Sequence, residues 1–183
     1  MIKLLLAAAF ALFTVSAHAQ SLGEKSGVNS ALGVSPSTQD FVTKAAIGDM
    51  FEIESSKLAQ ERADPAGKTF AARMIKDHTE TSDELKALVS SGKVKATLPG
   101  ALDKSHQSKL DKLKGLNGAQ FDRQYDDMQR TAHKDAVSMF DRYAKRGDNS
   151  DLKAFASKHL PHLQEHRQMA QDLKTRPAGL RQK

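Results

Sequence analysis

From residue 38 to residue 174 the apolar positions recur at intervals of three and four, and no stretch alternates. Such spacing lays one apolar stripe along an α-helix, whereas a half-buried strand requires a period of two. Four long stripes stand out. Phe41, Ala45, Gly48 and Ala59 share a face of the first, and Phe70, Met74, Thr81, Leu85 and Leu88 share a face of the second. Phe121, Tyr125, Ala136, Met139 and Tyr143 form the third, and Leu152, Phe155, Ala156, Leu163, Ala170 and Leu173 the last.

Helix-start and helix-stop residues divide the chain at the same places. Ser37, with Asp40 at the third helical position, is a capping-box-like start for a helix reaching about Arg62. Asp64-Pro65 supplies an N-cap and a first-turn proline for a second helix, which Gly92 ends. "GKVKATLPGAL" reads as a loop and "KSHQSKLDKLKG" as a shorter helix. Asn117, with Gln120 at the third position, should cap a long helix to about Arg146. "RGDNSD" is a turn, and the last helix spans about 150–174, interrupted by Pro161. The expected architecture is all-α: an up-down bundle of two helical hairpins, with an extra short helix in the long connection. The eight-residue steps Phe70 to His78 and Tyr125 to His133, followed seven residues later by Leu85 and Phe140, are a weak internal repeat consistent with hairpin duplication.

The two ends differ from this pattern. Residues 1–19 carry one charge, Lys3, an apolar run from Leu4 to Val15, and the small-x-small triplet Ala17-His18-Ala19. That is the form of a secretory signal peptide, with cleavage expected after Ala19. The run is too short for a membrane span, which needs ~20 residues. Residues 20–36, rich in Ser, Gly and Asn, read as a flexible leader, 37–174 as the helical bundle domain, and 175–183 as a basic tail. The expected location is the periplasm, with no transmembrane segment in the mature form.

Composition sharpens this picture at three points. There is no cysteine, so disulfides do not staple the fold and a lipid-modified cysteine anchor is excluded. The formal charge is +6, or +5 without Lys3, and no basic stripe interleaves with aromatics; Trp is absent. A nucleic-acid partner is therefore not expected. Nucleophile elbows, phosphate loops and dinucleotide fingerprints are missing.

The candidate chemistry lies in polar residues on the apolar faces. Glu52 falls in the middle of the first stripe, with Glu54 on a flank. Asp77 and His78 fall on the two edges of the second, and His133 lies at the margin of the third near Phe140. His159 and His166 lie within the last stripe, with His162 adjacent. Each long helix thus offers a metal-competent group: Glu52, His78, His133 and His166. A buried carboxylate needs a cation or hydrogen-bond donors. Imidazole and carboxylate together suit one ion of Fe, Mn, Zn or Cu, and bundle cores hold such ions on facing helices. Asp77 would then orient a ligating histidine. A histidine–carboxylate network without metal, or half-buried surface histidines, would use the same residues. His162 and His166, four apart, with His159 three before, form a second candidate set. Leu163 follows His162, so no H-E-x-x-H protease helix is present.

Four blocks carry a resemblance: "FVTKAAIGDMFEIESSKLA", "FAARMIKDHTETSDEL", "FDRQYDDMQRTAHKDAVSMF" and "LKAFASKHLPHLQEHRQMA". In this order, over about 38–174, they resemble an exported bacterial family, domain of unknown function 4142. The resemblance implies a ferritin-like four-helix arrangement and brings no established reaction. Glu52, Glu54, Asp77-His78, His133 and His166 match the family's recurrent polar positions. The chain contains no E-x-x-H, the spacing of di-iron carboxylate bundles, so iron storage or ferroxidase chemistry is not expected. Two readings follow: a non-enzymatic, stress- or envelope-associated binding protein, and a metal-binding bundle with redox or metal-handling activity. An interaction module docking an exposed helix face is a third class.

Overall fold

The structure, a computed structural model, describes residues 32–175. Five helices occur among them: α1 (Thr38–Arg62), α2 (Pro65–Ser90), α3 (Lys104–Lys114), α4 (Gly118–Arg146) and α5 (Ser150–Thr175). No strand occurs among the described residues, so the expected all-α class holds. The expected signal peptide, residues 20–31 of the leader and 176–183 of the tail lie outside the described residues. No described helix is long and apolar enough to cross a membrane.

The helix starts are set locally. Ser37 Oγ accepts from the Asp40 amide at 3.1 Å, and Asp64 Oδ1 from the Gly67 amide at 2.7 Å, with Pro65 in the first turn. Asp103 and Asn149 do the same for α3 and α5. Each bond satisfies a donor that a helix start leaves without a partner. Asn117 takes the expected N-cap position, but its side chain makes no cap bond; Gly118, the first helical residue, has φ +51, a left-handed backbone that glycine adopts without strain. Pro161 departs from expectation: α5 runs through it without interruption. A proline inside a helix costs roughly 3 kcal/mol, and α5 offsets that by packing along both α2 and α4.

Side-chain contacts fix the topology. α1 and α2 form one hairpin, and α4 and α5 the other. The start of α1 meets the end of α4, where the Phe41 ring lies 4.9 Å from Phe140 and 4.2 Å from Tyr143. Asp77 meets His166 and Glu84 meets His159, so α2 and α5 are antiparallel. The four helices therefore run up, down, down and up, with α2 and α4 parallel across the diagonal. The connection between the hairpins must climb the full length of the bundle. It does so along α1: Gln39 binds the Thr97 carbonyl at 2.9 Å, and Arg62 binds the Lys114 carbonyl at 2.7 Å.

The core is divided in two. One apolar cluster holds Phe41, Leu85, Phe140, Tyr143, Leu152 and Phe155. The other holds Phe70, Met74, Leu113, Phe121, Tyr125 and Leu173. Between them, at mid-height, lie Asp49, Glu52, His78, His133 and His166, all buried. The internal repeat seen in the sequence maps onto this layering. Phe70 and Tyr125 touch in one cluster (ring centroids 6.1 Å apart), His78 and His133 meet in the polar layer, and Leu85 and Phe140 lie in the other cluster.

Candidate metal centre

Buried charge between two apolar clusters is costly unless it is compensated. Three imidazoles from three helices meet in the polar layer: His78 of α2, His133 of α4 and His166 of α5, exposed by only 4%, 1% and 1%. Their ring centroids are 5.4–5.6 Å apart. One ring nitrogen from each lies within 4.8 Å of the other two.

Their partners fix which nitrogen is free. His133 Nδ1 lies 2.9 Å from the Gln129 carbonyl. A carbonyl only accepts, so Nδ1 carries the hydrogen and Nε2 keeps its lone pair. His166 Nε2 lies 2.9 Å from Asp77 Oδ2. Burial works to raise the Asp77 carboxyl, but hydrogen bonds from Arg73 and His166 outweigh it and hold the group at about 2. The ionised Asp77 accepts from His166 Nε2, which leaves the lone pair on Nδ1. That atom is buried and has no hydrogen-bond partner. His78 Nδ1 is 2.8 Å from Asp49 Oδ1, which turns His78 Nε2 toward His133 Nε2 at 3.4 Å.

The charges are uneven. Burial, followed by the nearby His78 charge, pushes His133 well below the ordinary histidine range. Burial likewise brings His166 down to about 4, although Asp77 opposes this. Both rings are therefore neutral near pH 7, as ligation requires. Burial also acts against a charged His78, yet its bond to Asp49 raises it overall. Asp49 itself is raised by burial. In its charged form His78 points an Nε2 hydrogen at the His133 lone pair, and in its neutral form, with Nδ1–H on Asp49, it offers Nε2 as a ligand.

A metal ion fits the same place. Two nitrogens bound to one tetrahedral ion at ~2.0–2.1 Å are separated by about 3.3–3.4 Å, close to the His78–His133 distance. Three atoms within 4.8 Å of one another all lie no more than about 2.8 Å from a common centre. Closing to bonding distance then takes a shift of under about 1 Å.

Glu52 stands beside this set. It is 3% exposed, and neither carboxylate oxygen has a hydrogen-bond partner. Burial pushes its carboxyl up to about 7. The Gln129 amide approaches it, but the hydrogen bond formed by that amide goes to Ser55 Oγ at 3.3 Å. Glu52 borders a cavity of about 50 Å³ together with Asp49, His78 and His133. It is not one of the groups within 4.8 Å.

The remaining candidates are placed elsewhere. Glu54 is exposed and pairs with Lys57 at 2.7 Å. His159 is buried but bonds to Glu84 at 2.9 Å. His162 is exposed while His166 is buried, so the four-residue pair does not converge. Asp77 orients His166 across the bundle rather than its neighbour His78. Two contributors escape the sequence reading, Asp49 and Gln129. Asp49 lies four residues after Ala45 and three before Glu52, on the same inward stripe. Gln129 lies midway between Tyr125 and His133 at four-residue steps.

No curated protein and no solved structure matches the chain. A family model does match: it is described as Domain of unknown function (DUF4142), it covers residues 23–173, and the chain belongs to that family.

Proposed function

We propose that this chain is an exported helical bundle that holds one transition-metal ion on His78, His133 and His166. The observation that carries the reading is the convergence of one ring nitrogen from each of three buried histidines, the opposite nitrogen of each ring being held from its far side. Asp49, the Gln129 carbonyl and Asp77 do the holding. Metal-bound histidines are usually tethered in this way. An all-imidazole set suits Zn, Cu or Fe, and no sulfur ligand competes. The orphaned oxygens of Glu52 add negative charge beside the ion and offset it. The form of residues 1–19 supports export, and a metal-handling or redox role outside the cytoplasm agrees with it. Between the two leading functions drawn from the sequence, this arrangement favours the metal-holding one.

Calorimetric titration of chelator-stripped protein with Zn(II) tests the proposal. One saturating equivalent is expected. Asp77→Asn should weaken binding by roughly tenfold while leaving helicity unchanged, because an amide does not hold the His166 tautomer as an ionised carboxylate does. Several weak equivalents, or an affinity untouched by Asp77→Asn, would contradict it.

A further inference from the structure

The cavity beside Glu52 has a second feature. Four of its lining residues are small, Ala45 and Gly48 on α1 and Ala132 and Ala136 on α4, with Lys44 beside the first pair. Gly48 sits in the interior of α1, where glycine weakens a helix relative to alanine. Nothing in its surroundings demands a glycine: a Cβ built there meets no atom within 4 Å. The missing side chain therefore leaves space rather than relieving a clash. That space adjoins His78, His133 and the unpartnered carboxylate of Glu52.

Three imidazoles leave a four-coordinate ion one position short. We infer that this position opens into the cavity beside Gly48 and takes a small inorganic anion of two or three atoms, admitted between α1 and α4. The inference rests on the metal reading above. Size follows from the volume: about 50 Å³ holds an ion and a ligand of on the order of one to three heavy atoms. Charge follows from the ligands. Three neutral imidazoles supply no negative charge to the ion; an ionised Glu52 offsets one unit of a divalent ion, and the positive charge that remains favours an anion. Met139, Phe140 and Leu163 add apolar surface to the lining and Lys44 adds a cation, so the small volume favours a compact anion over a larger or fully hydrated ligand.

Azide is the probe, added to full-length protein loaded with one equivalent of Cu(II). Metal content is measured first. The expected result is a new azide-to-copper charge-transfer band that saturates. Gly48→Ala should leave the azide affinity within about threefold of wild type, since a methyl meets nothing there. Gly48→Leu should retain the copper and lose at least about tenfold in azide affinity; tenfold corresponds to about 1.4 kcal/mol. Ala132→Leu, from the opposite wall, should do the same and covers the case in which Gly48→Leu fails to fold. If copper loads but azide produces no band, Glu52 or another protein group fills the position and the inference is overturned, while the metal site stands. Wild-type azide affinity in both leucine variants also overturns it. Failure to load copper overturns the metal reading itself, and this inference with it.

Discussion

His133→Gln is expected to abolish the metal-dependent rise in melting temperature. An ion that binds only the folded chain stabilises it by about 2.7 kcal/mol at a hundred times its dissociation constant. For a domain of this size that is a rise of roughly 5–10 °C. His133 contributes the nitrogen closest to another ligand, 3.4 Å from His78 Nε2. Without it the two remaining rings cannot hold the ion tightly. Glutamine retains an amide that can reach the Gln129 carbonyl, so the metal-free variant should stay folded. The metal-induced rise should fall to within about 2 °C of zero. His162→Gln should keep the full rise, because His162 is exposed and outside the cluster. In the wild type the rise should be larger at about pH 8 than at about pH 6, since the proton that Asp49 stabilises on His78 must leave before the ring can ligate. Differential scanning calorimetry, with and without Zn(II), reads all of this.

Glu52→Gln is expected to stabilise the metal-free protein at high pH and not at low pH. The sign follows from linkage. The Glu52 carboxyl sits at about 7 in the folded chain, against 4.5 ordinarily. Between those values the folded state holds the proton and the unfolded state does not. Stability is therefore lost as pH rises from 4.5 through about 7, and the penalty is complete above that. It amounts to roughly 3 kcal/mol by the size of the shift. A buried glutamine amide retains a smaller desolvation cost, which leaves a net gain of roughly 1–3 kcal/mol at about pH 8. Below the unfolded value the gain should vanish. Urea denaturation of stripped protein at the two pH values measures the difference. Equal stabilities of variant and wild type at high pH would mean that Glu52 is already compensated in the folded chain. The variant's advantage should shrink once the ion is bound, because the ion's charge takes over the compensation.

The elements were legible because their signals are local. Ser37, Asp64 and Pro65 act through atoms within one helical turn, and the spacing of Phe70, Met74 and Leu85 needs no knowledge of neighbours. Asn117 caps α4 in position but not through its side chain, because the left-handed backbone of Gly118 sets the entry to the helix. Pro161 was misread because packing from two neighbouring helices outweighs a local penalty. The inward phase of Glu52 and His166 is visible on a helical wheel; His78, placed on an edge, and His133, placed at a margin, prove buried. The pairing of acids with histidines was not visible. Asp77 and His78 are adjacent in sequence but diverge by about 100° around the helix. One therefore serves the α5 histidine while the other is served by Asp49 of α1. Such exchanges depend on which helices are neighbours, and the crossover decides that. Asp49 was obscured further because the inward face of α1 also carries Glu52, Ser55 and Ser56, so the apolar stripe there is broken.

The most direct test of three imidazoles on one ion is long-range proton–nitrogen NMR of the histidine rings, recorded on stripped protein and again with one equivalent of Zn(II). The expected result is a shift at His78 Nε2, His133 Nε2 and His166 Nδ1, with the opposite nitrogen of each ring still protonated and His106, His159 and His162 unmoved. Uptake of the ion with shifts confined to His159 or His162, or with the three buried rings unchanged, would contradict the proposed centre.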